Sequence, residues 1–148
     1  MLLLLIVALL WIGLHIGVSG TALRGLIVAR IGETVFAAAF AAASIVLLAL
    51  LVMAWQRAET VPVWFAPAWL RWMIAVLMAP VFVLFACSLI GNPTAMGGGG
   101  LVARGPRGIQ RITRHPMLWS FAAWAALHIL GNGDLAAMVF FGTVLVTA

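Results

Sequence analysis

The sequence has no lysine, no tyrosine, one cysteine and three acidic residues among its 148. Each scarcity excludes something. Glu33, Glu59 and Asp134 are too few for most mechanisms that run on paired carboxylates. Cys87 has no partner for an internal disulfide, and the chain holds no CxxC or CxxCH, so a covalently attached c-type heme is excluded. There is no Walker A loop, no HExxH and no Ser/His/Asp set. Charged residues make up only 7% of the chain, against about 25% in an ordinary soluble domain. What is abundant is apolar: 66% of residues are hydrophobic, and the mean hydropathy is +1.25. Water cannot solvate such a surface. The expected class is an all-α, polytopic transmembrane helical bundle, a single domain over residues 1–148. The net charge of +5 is entirely arginine. Membrane proteins place such residues at cytoplasmic helix ends, so the charge does not call for nucleic acid.

A helix needs about 20 apolar residues to span a bilayer core. Five such runs are expected. Residues 1–19 are read as a retained first span, since neither a basic stretch nor a small-residue cleavage site marks a signal peptide. Gly13-Leu14-His15-Ile16-Gly17 is a small-xxx-small pattern that invites close helix packing, and helical spacing sets His15 opposite the glycines. Residues 19–32 form a connector with Arg24 and Arg30, containing a short interfacial piece. Span two begins at Glu33 and runs to Gln56, rich in alanines that imply close packing. Span three runs over about 69–90 with Pro80 inside, flanked by Trp64, Trp69 and Trp72 as an aromatic belt. A glycine-rich loop follows. Arg107, Arg111 and Arg114 then fall on one face of an expected short amphipathic helix, with Arg104 just before it. Pro116 opens span four over 116–131, because the first helical turn loses no donor to proline. Gly131–Asp134 is a tight turn, with Asn132 and Asp134 as turn and cap. Span five starts near Leu135, and the 14 residues after Asp134 predict a natural end beyond Ala148. No internal repeat is evident.

Connectors one–two and three–four carry Arg24, Arg30, Arg104, Arg107, Arg111 and Arg114, whereas the other side has Arg57 and Arg71. The positive-inside rule places the N-terminus outside and the arginine-rich connectors in the cytoplasm.

Ionisable groups inside spans are candidate functional residues. His15 and His128 are the two well inside. One reading makes them structural, each bonded to a neighbouring carbonyl or hydroxyl. The other makes them axial ligands of one non-covalent heme b, clamped between helices. Their expected depths differ by about 8–10 Å at helical rise. His115 lies nearer in depth to His15 and is the alternative ligand, although the simplest reading makes it a helix cap. Arg111, Arg114 and Arg24 suit carboxylates such as heme propionates, or phosphates.

The segments LHIGVSGTALRGLIVARIGETVFAAAFAAASIVLL, GNPTA and GIQRITRHPMLWSFAAWAALHILGNGDLAAMVFFG together resemble the NnrU family of bacterial membrane proteins. The likeness covers essentially the whole chain. It implies a bacterial inner-membrane protein associated with denitrification, in the nitrite and nitric oxide reductase context. Plant and cyanobacterial relatives include a cis-zeta-carotene isomerase that uses a non-covalent heme b. Its ligand histidines carry over to His15 and His128. The resemblance thus implies either a redox or gas-sensing role or heme-dependent isomerisation of a lipophilic substrate. Arg114-His115-Pro116 is also similar to a motif of membrane methyltransferases that bind S-adenosylmethionine, although Leu118 stands where those enzymes carry an aromatic residue. A third expectation is a non-enzymatic assembly protein with structural histidines. Expected partners are the lipid bilayer, a lipophilic small molecule, and a second copy of the chain or a reductase.

Overall fold

Helix after helix follows from the uncharged runs. The structure, a computed structural model, describes residues 1–89, 105 and 108–148. Helix α1 spans Leu2–Ile12 and continues as a π-helical stretch over Gly13–Ser19. α2 is Ala22–Ile31, α3 Glu33–Gln56 and α4 Ala68–Ser88. A 3-10 turn, Gly108–Arg111, precedes α5, Pro116–Asn132, and α6, Leu135–Thr147. Among the described residues, Leu2–Ser19, Glu33–Gln56 and Ala68–Ser88 are the helices long and apolar enough to cross a membrane. α5 and α6 are shorter, at 17 and 13 residues.

Local chemistry sets the boundaries. The Thr21 hydroxyl caps α2 by accepting from the Leu23 N–H. Gly32, at φ +83°, makes the turn into α3, a conformation that suits glycine. Pro116 occupies the first turn of α5 after His115. Gly133, at φ +68°, ends α5, and Asp134 caps α6 by accepting from the Ala137 N–H at 2.8 Å. The segment after α3 pins this turn. Val63 and Trp64 both donate to the Gly133 carbonyl, and Leu135 donates to the Val61 carbonyl.

Side chains bond carbonyls along the π stretch. His15 bonds the Trp11 carbonyl and the Thr21 hydroxyl donates to the Gly17 carbonyl, each four residues back.

Packing runs as a chain of helices. α3 packs on α1, α1 on α6, α6 on α5 and α5 on α4, while α2 folds back on α3. The buried cluster gathers Leu4, Val7 and Ala8 with Leu51, Ala54, Phe140 and Phe141. α4 buries only Ser88 among its residues. Leu2, Leu9, Ile45, Trp72, Val76 and Phe82 stand outward, a surface that fits a lipid bilayer. No described polar side chain is buried without a partner. Ser44, Ser120 and Thr143 donate to carbonyls of their own helices, as lipid requires.

Three packing expectations are corrected. A Cβ added at Gly13 or Gly17 would meet nothing within 4 Å, so no helix packs on that pair. The widened turn and the absence of a neighbour leave the glycines in open space. Ala37–Ala39 and Ala41–Ala43 of α3 are half-buried or exposed rather than tightly packed, and Phe36 and Phe40 make the ring contacts at that end. The amphipathic helix expected over the arginines is a single 3-10 turn ending at Arg111, with Gly108 at φ +52° breaking helical continuity. Arg104 and Arg107 lie outside the described residues.

Candidate functional site

Both helical histidines, His15 and His128, sit in the same five-residue device. Trp11-Ile12-Gly13-Leu14-His15 and Trp124-Ala125-Ala126-Leu127-His128 share the pattern W-x-x-L-H. A four-residue separation puts Trp and His on one helical face. In each copy the histidine Nδ1 lies within hydrogen-bond distance of its own tryptophan's carbonyl, at 3.0 Å for His15 and 2.9 Å for His128. A carbonyl only accepts, so Nδ1 donates in this bond, and in a neutral imidazole that leaves the lone pair on Nε2. In each copy the imidazole also lies against the indole, at 4.1 Å between ring centroids for His15 and 4.7 Å for His128. Both histidines are half-buried. A neutral ring with Nδ1 tied to a carbonyl and Nε2 free is the state in which histidine serves as a metal ligand.

The surroundings differ. His15 meets the edge of Phe40, which stacks on Phe36, and the Arg24 guanidinium lies over Phe36 at 5.4 Å. Arg24 also forms an ion pair with Glu33, so part of its charge is already matched. His128 stacks on Phe141 of α6 at 4.6 Å, and Phe141 also contacts Trp124 and Trp55. Asn132 donates to the His128 carbonyl at 2.8 Å, closing the helix end just past the ring.

α6 supplies a ruler between the two devices. The Trp11 indole that stacks on His15 donates to the Thr147 hydroxyl, whereas Phe141 marks the level of His128. Six residues of α6 separate these levels, about 9 Å at helical rise. α1 and α5 are joined chiefly through α6, which packs on both.

Arg111 and Arg114 are exposed at the entry to α5 and make no ion pair among the described residues. His115 is exposed, and its backbone N–H donates to the Thr113 hydroxyl, so the structure places it at a helix entrance, away from the Trp–His devices. Among the described residues no three His, Cys, Asp or Glu side chains gather into a metal site. The sequence analysis singles out none of Trp11, Trp124, Phe40 and Phe141. The repeated W-x-x-L-H spacing was the signal that marks the first two. Nothing local announces Phe40 or Phe141, which reach the histidines only through tertiary packing.

The family model described as NnrU protein matches residues 3–148. The chain belongs to the NnrU family. No curated protein and no solved structure matches it. Family membership of this NnrU chain therefore rests on the whole length, both Trp–His devices included.

Proposed function

We propose that this NnrU protein is a multi-pass protein of the bacterial inner membrane that binds heme b non-covalently through His15 and His128. Its role would lie in nitrite and nitric oxide metabolism, as a redox or gas-responsive centre. The supporting observation is the paired device: two intramembrane imidazoles, each with Nδ1 committed to a tryptophan carbonyl and Nε2 left to ligate. The donor chemistry fits heme b. When bound, the heme would supply an iron for electron transfer or for small-gas ligation. Arg111 and Arg114, unpaired at the entry to α5, suit propionates better than Arg24, which Glu33 already engages. In this reading α5 and α6 complete five crossings, with the N-terminus outside.

One requirement remains on the geometry. His15 and His128 would hold the heme jointly only if both imidazoles reach it at once.

The test is a visible spectrum of the detergent-purified protein, supplied with heme. A Soret band and one heme per chain are expected, with loss in His15→Ala and in His128→Ala alike. No band in the wild-type protein sinks the reading. Half of the heme retained in each single variant means two separate sites. Retention in both with loss in His115→Ala moves the ligand to His115.

A second reading, isomerisation of a lipophilic substrate at the heme, is favoured by a cavity of about 780 Å³ between α4 and α5. Trp124 lines it and contacts His128 on its other side.

A further inference from the structure

The α4–α5 cavity has a second end. Its walls are Met78, Ala79 and Phe82 of α4 with Phe121 and Trp124 of α5, and they are almost wholly apolar. Ala75 lines it too, and Ala75 also lines a neighbouring cavity of about 580 Å³ with Arg71, Trp72 and Ala66. Arg71, Ala75, Ala79 and Phe82 recur at spacings of four, four and three, so they share one face of α4, and the two spaces adjoin at Ala75. That face is apolar from Ala75 to Phe85 and cationic at Arg71.

Arg71 is held ready. Its Nε donates to the Ala66 carbonyl at 3.1 Å, which fixes the guanidinium plane and leaves the outer nitrogens without a partner among the described residues. None of the acidic residues pairs with it. Glu33 holds Arg24, Asp134 caps α6, and Glu59 forms no ion pair. An arginine at the mouth of an apolar groove, beside the exposed indoles of Trp69 and Trp72, has the chemistry of a membrane interface. Its charge calls for an anion from outside the chain.

Length says what carries that anion. Ala75 to Phe85 rises about 15 Å as a helix, which is half of the roughly 30 Å hydrocarbon core and the depth of one lipid chain. The planar guanidinium matches a phosphate in a two-point contact. We propose that the α4–α5 face binds an anionic glycerophospholipid, its phosphate on Arg71 and one hydrocarbon chain laid along the groove toward Trp124. The site uses the same groove as the isomerisation reading but does not rest on heme.

Native mass spectrometry of the full chain, released from micelles holding equal phosphatidylglycerol and phosphatidylcholine, tests it. Phosphatidylglycerol should be retained about tenfold over phosphatidylcholine, the scale of one charge-assisted contact. Arg71→Gln should bring the two lipids to near parity. Ala79→Trp, which fills the groove, should lower retention of both, with Ala75→Leu as a milder filling variant if Ala79→Trp does not fold. Millimolar inorganic phosphate should not displace the lipid. Equal retention of both lipids by the wild-type chain overturns the proposal, as does an unchanged preference in Arg71→Gln or unchanged retention in the filled variants. Displacement by phosphate alone overturns the chain-binding part. The same measurement on the His15→Ala/His128→Ala protein separates this result from heme, because lipid retention should persist there.

Discussion

A histidine inside an apolar helix is costly until both ring nitrogens are accounted for. Here the carbonyl four residues back settles one nitrogen in each case, and the other is available for a ligand. The rings that hold the imidazoles in place are therefore as telling as the histidines. Phe141, 3% exposed, touches Trp55, Trp124 and His128 at once. Phe141→Ala should cost about 3 kcal/mol, the low end for emptying an aromatic site, read as a lower midpoint in mixed-micelle denaturation. Phe141→Leu should recover most of it; equal losses in the two variants would contradict this account. The Trp11–Thr147 bond is a smaller matter. A double-mutant cycle with Trp11→Phe and Thr147→Val should return about 0.6 kcal/mol, the usual worth of such bonds in a membrane bundle. A coupling of zero would remove the bond that sets the α1–α6 register.

Elements separate glycines that look alike in the sequence. A Cβ at Gly133 would overlap the Trp64 carbonyl, and its φ of +68° already disfavours other residues. Gly133→Ala should therefore cost well over the ~1–2 kcal/mol of a left-handed residue and disrupt the α5–α6 turn. Gly32, at φ +83° with open space around it, should show only that conformational cost. Gly13→Ala and Gly17→Ala meet nothing and should be neutral or stabilising by up to ~1 kcal/mol. Thermal unfolding of the four variants orders them, and a large loss at Gly13 or Gly17 would restore the packing role that the small-xxx-small pattern suggested. Helix ends were legible because charge, proline and glycine bound the apolar runs: Pro116, Glu33 and Asp134 each start the helix expected of them. Packing faces were not legible. In lipid the outward face is as apolar as the inward one, so the periodicity that reveals a core in water is lost. That is why the exposure of the α3 alanines and the role of Phe141 appear only in three dimensions.

For the whole molecule, the consequential element is the short apolar helix α6. α6 has 13 residues, yet Ala136, Ala137, Phe140, Phe141 and Thr143 are all buried in it. It packs on α1 and α3 on one side and on α5 on the other, while α4 hangs on α5. The bundle is thus two groups, α1–α3 and α4–α5, joined mainly by α6, and each group carries one Trp–His device. A protease site inserted between Glu59 and Thr60 tests this arrangement. It cuts ahead of Val61, so the contacts of Val61, Val63 and Trp64 with the α5–α6 turn stay within the second fragment. Fragments 1–59 and 60–148 should co-elute after cleavage, held by the packing of α6 on α1 and α3. Leucine at both Ala136 and Ala137, each at most 2% exposed, should overpack that seam by about 1–3 kcal/mol per site and let the fragments part. Co-elution unaffected by the two leucines would mean that other contacts join the halves. Separation in the unsubstituted chain would mean that α6 does not join them at all.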